Sequence, residues 1–204
     1  KDASGALLDP ITGTNYEAGI KGELRDARLN VSAAVFRIEQ DNYPEYIGVI
    51  NGESAYRAVD GARVRGYELE VSGEPLPRWS LSAGFTRMQA ESGDGSRLDT
   101  DAPSNLLRLT SSHALPGSLD GLRVGGHLSW QSELRKSAVG PNGEDAVQKS
   151  YALVDLFGSY RVSEHLRVQA NLNNVFDKVY YKAVNSYGYY GEPRNLAVSV
   201  RYSF

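Results

Sequence analysis

Apolar side chains recur on every second position along most of this chain. The last stretch shows it best: Leu196, Val198, Val200, Tyr202 and Phe204 alternate with Ala197, Ser199, Arg201 and Ser203. A period of two belongs to a β-strand, whose side chains point to opposite faces in turn. The same pattern runs through 15–24, with Tyr16, Ala18, Ile20 and Leu24 opposing Asn15, Glu17, Lys21 and Glu23. It returns at 62–72, with Tyr67, Leu69 and Val71 against Gly66, Glu68 and Glu70, and at 166–175, with Leu166, Val168, Ala170 and Leu172 against Arg167, Gln169, Asn171 and Asn173. Segments 28–40, 79–90, 104–115, 122–134, 149–161 and 194–204 complete nine predicted strands. In 28–40 the run AAVFRI leaves the register open. Helical periodicity appears nowhere.

The joints between these strands alternate in length. Residues 25–27, 73–78, 116–121 and 163–165 are short and turn-like, whereas 41–61, 91–103, 135–148 and 176–193 are long. In an up-and-down meander every second joint lies at the same end, so one end carries tight turns and the other large loops. Outer-membrane barrels have this asymmetry; a soluble sandwich has no reason to sort its loops this way. The polar faces point the same way. Glu17, Lys21, Glu23, Glu68, Glu70, Arg167 and Arg201 need water on one side of strands whose other side is aliphatic and aromatic. Tyr16, Tyr67, Trp79, Trp130, Tyr160, Tyr202 and Phe204 fall near predicted strand ends, as an aromatic girdle requires.

Composition narrows the field further. The 204 residues are 41% hydrophobic and 23% charged with a formal net charge of −3, which argues against a nucleic-acid binder. The absence of cysteine removes disulfides, thiolate metal sites and a Cys nucleophile. No stretch approaches the length of an apolar spanning helix, a test that strands spanning a membrane do not have to meet. The opening KDASGALLDP has neither an apolar core nor an initiating Met, so it is expected to begin a mature chain or to lie inside a longer protein.

Several segments, in order, resemble TonB-dependent ferric-siderophore receptors: LLDPITGTNYEAGIKGEL (7–24), AAVFRIEQDN (33–42), GARVRGYELEVSGEPLPRWSLSAGF (61–85), LNNVFDKVYY (172–181) and YGEPRNLAVSVRYSF (190–204). The GEPRN element is similar to the branch that takes up hydroxamate and pyoverdine-like chelates. The resemblance implies an all-β, transmembrane, antiparallel up-and-down β-barrel. Residues 1–204 would be its C-terminal part, about nine strands of about 22, with KDASGALLDPITGT the remainder of an extracellular loop. The plug, the TonB box and the remaining strands would lie upstream. It further implies a bacterial outer-membrane location and uptake of a ferric siderophore energised by the TonB–ExbB–ExbD complex. Contact with outer-membrane lipid, and insertion by the barrel assembly machinery reading the terminal Phe204, follow from the same resemblance. No nucleic acid, directly bound cofactor or catalytic residue is implied.

Candidate ligand contacts are the aromatics of the long joints, Tyr43, Tyr46, Tyr187, Tyr189 and Tyr190, together with Arg194. Rigid amphipathic rings give contact area at low entropic cost, and a guanidinium fork suits an anionic chelate. Interfacial packing for the rings, and a structural role for Arg194 before the last strand, are the competing readings. Glu68, Glu70, Arg167 and Arg201 are expected to face the lumen, and Tyr202 and Phe204 the membrane interface. The acidic run ESGDGSRLDTDA (91–102) lacks the order of an EF-hand loop and reads as solvated. His113, His127 and His165 share no metal-ligand spacing, so no metal site is expected. An outer-membrane barrel enzyme of protease or phospholipase type, or another outer-membrane channel, is the alternative; no nucleophile, base and orienting group stand out for the enzyme.

Overall fold

A computed structural model describes residues 1–26, 28–59, 61–100, 102–140, 142–184 and 188–204. In chain order the strands are β1 (Thr12–Leu24), β2 (Leu29–Asp41), β3 (Tyr43–Ile50), β4 (Glu53–Val59), β5 (Ala62–Leu76), β6 (Trp79–Glu91), β7 (Asn105–Ala114), β8 (Leu122–Gln131), β9 (Leu134–Lys136), β10 (Ala146–Gln148), β11 (Tyr151–Arg161), β12 (Leu166–Asn173), β13 (Tyr181–Val184), β14 (Gly188–Tyr190) and β15 (Asn195–Tyr202). Nine of them form one antiparallel sheet in the order β1-β2-β5-β6-β7-β8-β11-β12-β15. The other six pair as three hairpins, β3–β4, β9–β10 and β13–β14. Among the described residues the helical structure is a 3-10 turn at Gly117–Leu119.

Directly paired residues share a face, so the parity of one strand sets that of all nine. One row runs Ile20, Ala33, Leu69, Phe85, Leu107, Trp130, Ala152. A neighbouring row on the opposite face runs Lys21, Ser32, Glu70, Gly84, Arg108, Ser129, Leu153. The register also resolves 28–40: Leu29, Val31, Ala33 and Val35 share the apolar face, and Phe36 lies on the polar one opposite Gly66.

The sheet has almost no core of its own. Among the described residues the buried apolar side chains are Ala55, Ala62, Leu134 and Val184, whereas Ile20, Val198 and Val200 are 76%, 62% and 66% exposed. So large an exposed apolar surface requires another phase against it, and hydrocarbon is the phase that closed antiparallel strands tolerate.

The predicted strands all exist, with shifted ends. β5 continues through most of 73–78, and its pairing with β6 slips between Gly73 and Leu76. Pro75 lies inside that irregularity, where a missing N–H breaks no ladder. β8, β12 and β15 stop at Gln131, Asn173 and Tyr202, short of the predicted limits, although Ser203 still donates its N–H to the His165 carbonyl at 2.9 Å. The larger difference lies in the long joints, three of which fold into hairpins.

Candidate ligand site

The meander places the joints 41–61, 91–103, 135–148 and 176–193 at one end and the short turns at the other. Each long joint has its own source of order. In β3–β4, Asn51 and Gly52 both take positive φ (53° and 80°), the conformation of a two-residue turn whose twist matches the strands it joins. Tyr46 meets Tyr56 edge-on with ring centroids 5.7 Å apart, and Arg57 pairs with Glu45. Tyr43 is half-buried at the base of this hairpin, while Tyr46 is exposed.

Carboxylates organise the next two joints. Asp94 accepts from the hydroxyl and the backbone N–H of Ser96 at 2.7 and 2.9 Å, which holds its carboxyl below the usual aspartate range. Asp99 accepts from the Ser137 N–H at 2.7 Å, tying 91–103 to the β9–β10 joint. There Arg135 spans Asp145 (2.8 Å) and Glu133 (3.2 Å). Asp145 also accepts from the Ala138 N–H; this bond, followed by Arg135, lowers its carboxyl. The acidic run is therefore spent on loop structure at Asp94 and Asp99, with Asp101 outside the described residues. Among the described residues no group of His, Asp and Glu is arranged to hold a metal ion.

The β13–β14 joint is the aromatic one. Tyr181 and Tyr190 stack at 4.7 Å with their hydroxyls 3.2 Å apart, and Tyr180 lies 4.7 Å from Tyr151. Gly191 leaves room for the Tyr180 ring: a methyl there would sit 1.9 Å from its Cζ. Gln148 Oε1 accepts from the Tyr181 N–H at 2.7 Å, joining β10 to β13. Asn174, only 4% exposed, ties the base. Its amide donates to the carbonyls of Lys178 (2.9 Å) and Glu192 (3.1 Å), its oxygen accepts from the Lys178 N–H, and its own N–H reaches Asp155. Asp177 accepts from the Arg194 N–H at 2.9 Å. The segments LNNVFDKVYY and GEPRN thus form one knot between β12 and β15.

Tyr189 and Tyr190, 59% and 67% exposed, remain open to solvent above this knot. The Arg194 backbone fixes the loop while the residue itself is exposed. Tyr187 lies outside the described residues. Tyr43 and Tyr46 are not brought to this cluster along the sheet, since their hairpin joins β2 to β5 while the Tyr189–Tyr190 hairpin joins β12 to β15. Sequence reading missed Tyr56, Tyr151, Gln148 and Asn174. A polar residue on the parity of Leu166, Val168, Ala170 and Leu172 was the available signal for Asn174.

Residues 2–175 match the family described as TonB dependent receptor-like, beta-barrel. The chain belongs to that family. A ferric-pyoverdine 358 receptor of Pseudomonas putida is 38% identical over all of this chain and 25% of its own length. The ferripyoverdine receptor of Pseudomonas aeruginosa is also 38% identical over the whole chain, which covers 26% of it. The structure of that outer-membrane receptor bound to ferripyoverdine superimposes with a TM-score of 0.86 at 38% identity, over 100% of this chain and 29% of that one. The ferric-catecholate import receptor Fiu of E. coli, in its closed form, gives 0.75 at 26% identity, over 96% and 28%. The chain spans about a quarter of the length of the relatives it matches.

Glu68, Glu70, Arg167 and Arg201 lie on the face opposite the exposed apolar row, and Arg167 and Arg201 pair directly. Ser32 and Thr86 donate to Glu70 and Glu68 at 3.2 and 3.4 Å. Thr110, His127 and Asp155 also follow one another across three strands on this face. Thr110 meets His127 Nδ1 at 2.9 Å and Asp155 Oδ1 accepts the Asn174 N–H at 2.7 Å, and among the described residues no hydrogen bond joins His127 to Asp155. At the short-turn end, Tyr202 packs against His165 and meets Phe204 edge-on at 5.3 Å.

Proposed function

We propose that this chain is part of an outer-membrane importer of ferric siderophores of the pyoverdine type. The observation that carries the reading is 38% identity to ferric-pyoverdine receptors over the entire chain. The protein breaks no bond. It binds the chelate among loop side chains and passes it through a polar lumen. Tyr189, Tyr190 and Arg194 on one hairpin, Tyr43 and Tyr46 on another, and Tyr187 between β13 and β14 are the contacts assigned to the ligand. Energy comes from the TonB–ExbB–ExbD complex acting on an upstream segment.

Residues 1–204 serve as the C-terminal part of the barrel. β1 and β15 each pair on one side only, and an unpaired strand edge is not tolerated in hydrocarbon. Further strands of the same receptor close those edges, and a plug fills the lumen between Glu68, Glu70, Arg167 and Arg201. Phe204 and Tyr202 anchor the final strand at the interface, where the assembly machinery engages the terminal ring.

The test is uptake of labelled iron by receptor-deficient bacteria carrying the full-length gene, supplied with ferric pyoverdines of different side chains and with a ferric catecholate. Uptake of one pyoverdine class is expected, and a Tyr189→Ala/Tyr190→Ala variant should bind it at least about tenfold more weakly at unchanged receptor abundance. Transport of the catecholate but of no pyoverdine would overturn the assignment.

A further inference from the structure

The lipid face stops being apolar along a sharp line. On β2 the outward series is Leu29, Val31, Ala33, Val35, then Arg37 and Glu39; on β5 it is Val71, Leu69, Tyr67, then Arg65 and Arg63; on β6 it is Leu81, Ala83, Phe85, then Arg87, Gln89 and Glu91. From Leu29 to Arg37, and from Trp79 to Arg87, the strand rises about 26 Å. At the usual barrel tilt that is about 20 Å along the membrane normal, close to the ~25 Å apolar band of such barrels. The arginines therefore begin where the hydrocarbon ends, at the long-loop end.

Their arrangement asks for an anion. Arg37 and Arg65 are directly opposed on neighbouring strands, and Arg87 sits opposite Tyr67, one diagonal step from Arg65. Like charges so placed repel. Glu39 pairs with Arg37, and Glu91 accepts from Arg65 at 2.7 Å. That leaves four arginines against two carboxylates, with Arg87 exposed and without an ion-pair partner among the described residues. Arg37 and Arg65 keep side-chain exposures of 52% and 57% despite their pairs.

We propose that Arg37, Arg65 and Arg87 form a binding site for the phosphate groups of a phosphorylated lipid in the outer leaflet, whose acyl chains lie on Val35, Leu69, Tyr67 and Phe85. Guanidinium forks match phosphate oxygens in a bidentate way. Continuity with the apolar band selects a lipid over a free anion, because a soluble phosphate would have no use for the surface beneath. The inference rests on the outer-membrane orientation and not on the identity of the ferric ligand. Labelling of Ser54→Cys, exposed on β4, by an impermeant thiol reagent on intact cells checks that orientation separately.

The experiment uses the full-length receptor, purified in detergent and stripped of lipid, with bis-phosphorylated lipid A as probe. Binding should weaken about a hundredfold at low salt in R37Q/R65Q/R87Q, as removal of three interfacial basic residues implies. The triple lysine variant should keep most of it. Lipid A without phosphates should bind the parent receptor no better than the intact lipid binds the glutamine variant. Inorganic pyrophosphate at the same concentration should leave the lipid in place. Heat-modifiable gel migration reports folding, and R87Q alone, about fivefold weaker, serves if the triple variant does not fold. The proposal is overturned if folded variants hold the lipid as the parent does, or if pyrophosphate displaces it at equal concentration.

Discussion

The nine-stranded wall and the hairpins at one end of it are made of the same secondary structure and held by different forces. In the wall, parity decides everything: an even position on β15 lies on the apolar face, an odd one on the polar face, and ladder hydrogen bonds are common to all. In the hairpins, named side chains do the holding: Asp145 on a backbone N–H group, Gln148 across to Tyr181, and Asn174 at the base. The wall should therefore respond to where a residue points, and the hairpins to which residue it is.

The sharpest way to break this comparison lies on β15. Val198→Arg puts a charge into hydrocarbon near mid-strand and should cost about 2–4 kcal/mol in refolding of the full receptor, whereas Ser199→Arg, one position on, should cost little. Equal losses would refute the parity rule there. Deleting Phe204 should lower the amount of receptor in the membrane, measured by surface immunoblot, and leave the affinity of the surviving molecules unchanged. For the hairpins, Asn174→Ala removes the three side-chain hydrogen bonds of a buried amide and should cost about 1–3 kcal/mol. The loss is expected to be local, read as faster proteolytic nicking within 176–193 while the wall stays resistant.

The smallest effect is a pH dependence. Asp145 has its carboxyl lowered by the Ala138 N–H and by Arg135. A depressed carboxyl contributes order that is present above its ordinary range and is lost as pH falls through the lowered value. Amide protection in 135–148, taken relative to the intrinsic exchange rate at each pH, should therefore fall on acidification below the ordinary aspartate range, with no change of protection in β11 or β12. Asp145→Asn should remove that dependence.

These differences explain what could be read from the chain beforehand. Alternation placed all nine wall strands and set Glu68, Glu70, Arg167 and Arg201 opposite the apolar row, because an environment against one face acts on every second residue alike. Ends drifted where a local feature intervened, as at Gly73–Leu76 around Pro75. The hairpins left no comparable trace. β9 and β10 have three residues each, too few for a period to show, and their order comes from contacts between distant residues such as Ser137 and Asp99. Asn51–Gly52 was the exception, a local turn signal sitting in plain view within a segment treated as a loop. The tyrosines were visible as a cluster, but the placement of Tyr180 depended on Gly191, whose role appears only when that ring is placed across it.

The strict neighbour-by-neighbour order of the sheet also bears on how fast such a wall can form. Every wall strand in this chain finds its partner in the preceding or following wall strand, so each pairing closes only a short loop, and loop-closure entropy stays small at every step. Assembly can proceed as a zipper, one hairpin after another, in the manner of low-contact-order proteins. The non-local step is the seam at the edges of β1 and β15, and the rate at which those edges find their partners sets the time during which the lipid-facing side chains remain uncovered.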